Sequence, residues 1–368
     1  MKVFMQAIWA QLLLTPYIYW RGKQALLASK RWRIPYTILF LLEWLLYFSG
    51  YIFYKELPDN LFIPIMNICN TWYIASIYLT MGLFILELIR FIARKYGFYQ
   101  AKQPLKTMLF FAFVAGTFLL LWKARQNVVE PVVVHQYIDI PKGSSTRDSL
   151  KIVMASDMHI GEVIGKRQME KLVAISNAEK PDMVVFVGDL VDYESRFAEN
   201  EHLEETLQLL QAPLGVFSIN GNHEYRANWI AKRQWIRKFS TLLKDSVASP
   251  DNSFYLIGRD DFVNKKRKSL HELMAGIDTT KPIIVLDHQP WSFAEMRMNR
   301  VDLGLHGHTH NGQLWPYPIV MKWIYECPFG YYQKGGVQHF VSCGYGCAGP
   351  AYRVGTRSEI VVLHIRFK

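Results

Sequence analysis

Residues 4–20, 34–54, 61–89 and 105–122 are four apolar runs in the first third of a 368-residue chain. Each is near or above the about 20 residues that an α-helix needs to cross a bilayer core. No other feature restricts the fold so strongly. A helix that is apolar all round must be buried, either inside a large protein core or in lipid. The first run is the weakest, with Gln6, Gln11 and Pro16 inside it, and the third is overlong and is expected to start late, after Pro64 and Asn67. Tyr17, Tyr19, Trp20, Tyr51 and Tyr54 collect near run ends, where amphipathic rings favour a membrane interface. A cleaved signal peptide fits the first run poorly, because only Lys2 precedes it and no clear small-residue cleavage site follows. The reading is a membrane domain, residues 1–122, with four transmembrane α-helices.

Charge orients these helices. Residues 1–122 hold 12 of the 42 Lys and Arg but 4 of the 31 Asp and Glu, so most of the net charge of +11 belongs to the apolar third. The first loop carries Arg21, Lys23, Lys30, Arg31 and Arg33, and the third carries Arg94, Lys95, Lys102 and Lys106 with Arg90 at its edge. The second, residues 55–60, sets one Lys against two acids. Positive loops stay in the cytoplasm, so both termini are expected outside, in a multi-pass protein of the inner (cytoplasmic) membrane with its C-terminal domain extracytoplasmic. From residue 123 onward 30 basic and 27 acidic residues nearly balance, which argues against a nucleic-acid partner. Glu43 and Glu87 fall inside the expected spans, where a carboxylate is a functional candidate, although Glu87 sits beside Arg90 and can reach the interface. Cys343 and Cys347 could close a short disulfide loop, but four scattered cysteines without a C-x-x-C pair read better as unlinked.

Residues 123–368 change pattern. Short apolar runs at 132–140, 151–156, 183–188, 216–220, 282–286, 301–305, 339–343 and 359–365 read as buried strands. Helical periodicity occupies 166–179, 200–211, 228–243 and 290–299. Strands alternating with helices indicate an α/β domain. Polar groups that can bind metal or move protons follow five of the strands: Asp157 and His159, Asp189 and Asp192, Asn222 and His223, His288, and His308 and His310. In open α/β sheets ligands gather at that edge. Each cluster alone could be turn chemistry or a satisfied structural histidine, but five in this order point to one site.

The five clusters read SDMHIG (156–161), GDLVD (188–192), GNHE (221–224), DHQP (287–290) and GHTH (307–310). Together they resemble the calcineurin-like metallophosphoesterases over about residues 150–368. GRDD (258–261), the QLWP after GHTH, and GTRSEIVV (355–362) are similar to the membrane-anchored bacterial members. The resemblance implies a four-layer αββα sandwich holding two divalent metal ions. One would be held by Asp157, His159, Asp189 and His310, and the other by Asp189, Asn222, His288 and His308. Two such ions, about 3.5–4 Å apart, would activate a bridging water for in-line attack on phosphorus. The mixed N/O set suits Mn²⁺, Fe or Zn²⁺ better than Ca²⁺. His223 is implied as a catalytic group that stabilises or protonates the leaving oxygen, with Asp192 holding its ring. His306 departs from the family pattern and is expected to be a pocket or packing residue.

Residues 313–332, QLWPYPIVMKWIYECPFGYY, are dense in large aromatics. Strand and core packing is one reading, and a membrane-facing or acyl-binding rim is the other. With four anchoring helices, the expected partners are the lipid bilayer and a phosphorylated, lipid-linked substrate. A UDP-2,3-diacylglucosamine pyrophosphatase-like lipid A enzyme is an alternative, although its substrate is made in the cytoplasm. A catalytically silent membrane sensor is a second, against which every metal position being filled argues.

Overall fold

A computed structural model describes residues 2–26, 30–53, 56–96 and 103–368. Tyr54, Lys55 and Lys102 lie outside the described residues, as do the side chains of Lys2, Gln6, Lys30 and Tyr51. The chain forms two compact units, Met1–Arg125 and Gln126–Lys368. The helices of the N-terminal part are α1 (Lys2–Ala25), α2 (Lys30–Ile52), α3 (Asp59–Lys95) and α4 (Gln103–Val129). Ile18, Ala25, Leu79, Leu83 and Phe110 make one apolar cluster between them. Gln11 Nε2 donates to Glu43 Oε1 (2.6 Å), Trp72 Nε1 donates to Thr15 Oγ1 (3.1 Å), and Glu87 pairs with Arg21 and Arg90.

Four transmembrane helices were expected from the apolar runs. Among the described residues, two helices are long and apolar enough to cross a membrane, Asp59–Lys95 and Leu105–Val129. The other two are diluted: α1 by Gln11, Pro16, Arg21 and Lys23, and α2 by Lys30, Arg31, Arg33 and Glu43. Most of the apolar surface of α3 and α4 is exposed.

Twelve strands make up the second unit: β1 (Val132–Ile140), β2 (Ser149–Ala155), β3 (Met183–Val187), β4 (Val216–Ile219), β5 (Thr241–Leu243), β6 (Ser246–Ala248), β7 (Tyr255–Gly258), β8 (Ile283–Leu286), β9 (Leu303–His306), β10 (Gly330–Lys334), β11 (Val337–Val341) and β12 (Glu359–Phe367). They form two six-stranded mixed sheets, in the orders β1-β12-β2-β3-β4-β5 and β10-β11-β9-β8-β7-β6. In the first sheet β2 to β5 run parallel and β12 is antiparallel to β2; in the second β7, β8, β9 and β11 run parallel.

Period-two burial sets the layers. Ile152 and Met154 of β2 and Val185 and Val187 of β3 turn toward Leu256, Ile284, Leu286, Leu303 and Leu305 of the other sheet. Val153 and Ala155, with Val184 and Phe186, turn the opposite way, onto α5 (Lys166–Ala178), α6 (Arg196–Asn200), α7 (Leu203–Leu207) and α8 (Trp229–Ile236). On the far side of the second sheet, Ile257, Ile283 and Val285 pack on α9 (Leu270–Leu273) and α10 (Phe293–Met298).

Three sequence expectations change. The helix expected over 228–243 stops at Ile236, and β5 takes its last residues. The helix expected over 200–211 becomes α6 and α7, broken where His202 turns left-handed (φ 51°). Residues 313–332 do not form a core strand: they contain α11 (Tyr317–Ile324), which has no buried residue, and the start of β10.

Candidate metal centre

Five loops leave the C-terminal ends of β2, β3, β4, β8 and β9, and they carry all nine site residues expected from the sequence. The loops turn sharply. Asp157 (φ 52°), His159 (φ 47°), Asp189 (φ 53°), His308 (φ 73°) and His310 (φ 50°) all adopt left-handed backbone. For residues with a Cβ this costs on the order of 1–3 kcal/mol each, strain that persists only where surrounding contacts hold it. Two glycines let the loops close up. Gly188 (φ 81°) lies where a Cβ would come within 2.6 Å of His288 Nδ1, and a Cβ on Gly221 would strike the Asp189 carboxylate.

The side chains converge. His159 Nε2 lies 3.0 Å from His310 Nε2, which is 3.4 Å from Asp157 Oδ1. His288 Nε2 lies 3.2 Å from Asp189 Oδ2 and 4.0 Å from Asp157 Oδ1, and the His288 and His308 ring centroids are 5.2 Å apart. Ligand atoms of Asp157, His159 and His310 form one compact group, those of Asp189, His288 and His308 a second, and those of His159, Asp192 and His223 a third. Asn222 lies beside the second group through the Asp189–Gly221 contact of its own loop.

These groups fit divalent cations. Asn222 Oδ1 is buried without a hydrogen-bond partner, a costly state unless something else satisfies it, and His288 Nε2 faces only the Asp189 and Asp157 carboxylates. His288 Nδ1 donates to the Val187 carbonyl (2.7 Å), which leaves Nε2 as the ring atom that faces the Asp189 carboxylate and would ligate a cation. Burial drives the His308 ring down to about 3 and His310 well below the usual histidine range, so both stay neutral and able to ligate. Burial opposes protonation of His288 as well, yet the Asp189 and Asp157 carboxylates outweigh it and raise that ring well above its usual range. Positive charge is therefore favoured where those acids meet.

Asp192 holds two rings. Its Oδ1 lies 2.6 Å from His223 Nδ1, as expected, and 3.2 Å from His159 Nδ1, which sequence reasoning had not connected to it. Burial would raise the Asp192 carboxyl, but the hydrogen bonds from His159 and His223 hold it far below the usual range. It remains a carboxylate, and each ring turns its Nε2 toward the centre; His223 Nε2 lies 3.9 Å from Asp189 Oδ2.

Three supporting residues were missed. Glu224 is fully buried and accepts four backbone N–H bonds, from Asp189 (2.9 Å), Leu190 (2.9 Å), Val191 (3.1 Å) and Gly221 (2.7 Å). It clamps the Asp189 loop to the His223 loop, and its place in GNHE was the only signal. Glu224→Gln turns an NH₂ group toward backbone donors and strands about two of them, so a stability loss of about 2–5 kcal/mol is expected, read as lowered thermal unfolding of the chain. Lys232 Nζ, also buried, donates to the carbonyls of Val191 (3.3 Å), Asp192 (3.0 Å) and His223 (2.8 Å). Arg353 Nη2 donates to the Cys343 (2.6 Å) and Gly346 (2.7 Å) carbonyls and lies 3.3 Å from His310 Nδ1. It folds the 343–347 turn onto the site, where Gly346 N donates to the Asp157 carbonyl (2.8 Å). All four cysteines are buried and none is in a disulfide.

His306 is set apart from all three groups. Its Nδ1 bonds the Asp287 carbonyl (2.6 Å), its Nε2 meets His339 Nδ1 (3.3 Å), and Phe293 packs on both rings. Burial lowers both rings to about 3. Neutral forms favoured by folding contribute stability that is full above the unfolded histidine pKa and is lost as pH falls toward the folded value. Each ring should cost on the order of 1.4 kcal/mol per pH unit between about pH 6 and 4, measured as a drop in unfolding temperature that His339→Phe reduces.

Residues 150–312 match the profile of the calcineurin-like phosphoesterase family. The chain is 31% identical over 261 residues to an uncharacterized metallophosphoesterase of Campylobacter jejuni, covering 69% of this chain and 68% of that protein. It is 33% identical over 237 residues to an uncharacterized metallophosphoesterase of Aquifex aeolicus, covering 62% and 88%. The chain belongs to the calcineurin-like phosphoesterase family. A transmembrane protein with metallophosphoesterase domain from Danio rerio is 30% identical over 251 residues, covering 62% of this phosphoesterase and 56% of that protein. The activity is that of a metal-dependent phosphoric ester hydrolase, and the convergent side chains above suit divalent metal ions. The buried Arg259–Asp287 pair (3.2 Å) of the GRDD block steadies the loop carrying His288 in this phosphoesterase.

Proposed function

We propose that the chain is a membrane-anchored binuclear phosphoesterase that hydrolyses a phosphoester or pyrophosphate on a membrane lipid-linked substrate outside the cytoplasm. Asp157, His159, Asp189 and His310 hold one divalent cation, and Asp189, Asn222, His288 and His308 hold the other. The observation that carries this reading is the buried, partnerless Asn222 Oδ1 beside the close pair of His288 Nε2 and the Asp189 carboxylate. When bound, the cations supply Lewis acidity and an activated water; Mn, Fe and Zn all suit the donor set.

His223 provides the proton. Burial would lower its pKa, but the Asp189 and Asp192 carboxylates raise it, so the ring holds a proton nearer neutrality. With Nδ1 bound to Asp192, Nε2 is the atom free to protonate the leaving oxygen. The membrane part of the reading is supported by the apolar lengths of α3 and α4 and by the loop charges, whose positive-inside bias favours loops one and three in the cytoplasm. On this reading α1 and α2 cross as well, completing a four-helix anchor in the inner membrane.

The test is hydrolysis by the full chain in vesicles, with Mn²⁺ added, across phospholipids, polyprenyl phosphates and soluble nucleotides. Preferential turnover of lipid-borne phosphoesters is expected. Preference for soluble phosphodiesters would reject the lipid-linked substrate, and a reporter fused after Lys368 that is active in the cytoplasm would reject the topology.

A further inference from the structure

The segment immediately after the metal-binding loop carries an apolar face that the fold leaves open. Ile319 and Trp323, four residues apart, share one side of α11, and Trp315 stands just before the helix. Ile319, Trp323 and Trp315 are 47%, 81% and 49% exposed, and Tyr317 and Ile324 beside them are exposed too. Contiguous apolar surface of this kind marks a docking face.

Its ends are pinned. Before the helix, the Trp315 N–H donates to the Val354 carbonyl (2.8 Å), and Gln313 Nε2 donates to the Pro350 carbonyl (3.0 Å). After it, the Tyr325 ring packs tilted against Trp291 (4.3 Å between centroids) and Thr309 Oγ1 donates to the Pro328 carbonyl (2.6 Å). The helix is therefore a fixed ledge. Tyr325 also lies 6.3 Å from the His308 ring, which puts the ledge beside the metal centre.

We propose that α11 is an interfacial helix that docks on the lipid surface; this rests on the membrane-anchored reading above. Three observations select lipid as the occupant. Trp and Tyr flanking Ile, with Lys322 as the one charge of α11, is the composition of the lipid–water interface, where a Lys can snorkel. Eight residues span about 12 Å against a hydrocarbon core of about 30 Å, so the helix can lie in the interface plane and cannot cross. The chain also passes from α4, ending at Val129, into β1 at Val132, so a bilayer crossed by α4 is always within reach of this unit. Docking there presents the metal centre to phosphate groups at the membrane surface.

The test uses the full chain in vesicles, with a polarity-sensitive dye on Trp323→Cys and, as control, on Glu170→Cys of exposed α5 surface. Lipids bearing a nitroxide near the headgroup should quench the dye at 323 at least about twofold more than at 170, with blue-shifted emission. Equal quenching overturns the proposal, as does disulfide cross-linking between two copies through position 323 without quenching. The double variant Ile319→Asp, Trp323→Asp should lose about tenfold or more of its rate on a vesicle-borne phosphoester and keep its rate on soluble bis-p-nitrophenyl phosphate. Equal loss on both substrates overturns docking in favour of a structural role. Selective quenching without turnover of any lipid leaves docking standing and rejects the lipid-linked substrate alone.

Discussion

Replacing Asp189 with Asn is expected to abolish turnover and remove most bound divalent metal while leaving the fold near intact. The substitution conserves shape. Asp189 Oδ1 accepts the His223 backbone N–H (2.7 Å), a bond that an amide oxygen can keep, and the loop remains clamped by Glu224. What it removes is charge. Asp189 faces His288 Nε2 at 3.2 Å and both His159 and His223 Nε2 at 3.9 Å, so on the proposed binuclear reading it is placed to serve both cations. Burial opposes its ionisation, and the surrounding His288 and His223 hold it well below the usual carboxylate range. A loss of roughly three orders of magnitude or more in kcat is expected from lost Lewis-acid stabilisation. Metal content of the purified variant, measured with its turnover, checks this; near-normal values of both would remove Asp189 from the shared position.

His223→Ala should separate chemistry from metal binding. The ring reaches Asp192 through Nδ1 and belongs to neither ligand set, so removal should lower kcat by about 10²- to 10⁴-fold with metal content unchanged. The loss should shrink for substrates whose leaving group needs no proton, such as a nitrophenolate. Asp192→Asn should act more broadly, because the carboxylate also holds His159 Nδ1; about 10- to 100-fold weaker metal affinity is expected along with the lower rate. A His223→Ala chain that hydrolyses all substrates at the normal rate would end its assignment as the proton donor.

The strand ends carrying the site were legible because β2, β3, β4, β8 and β9 are buried on both faces and read as continuous apolar runs. Each is followed at once by its polar pair. β5 and β6, of three residues each, leave no such signature: β5 falls inside the helix expected over 228–243, and no strand was expected at β6 or at β7. Residues 313–332 misled because aromatic density reads as core, whereas in α11 it faces outward. The site itself was only half legible. Residue types named Asp157, His159 and Asp189, but left-handed backbone at all three is invisible in residues that are not glycine. Glu224 and Lys232 act on main-chain groups, and such roles leave no spacing pattern to find.

The most direct measurement is electron paramagnetic resonance of the metal-free full chain titrated with Mn²⁺. Close to two equivalents should bind, and the second should produce the spectrum of an exchange-coupled pair that Asp189→Asn abolishes. A single equivalent with an uncoupled six-line spectrum, in a chain that is fully active, would contradict a binuclear centre bridged by Asp189.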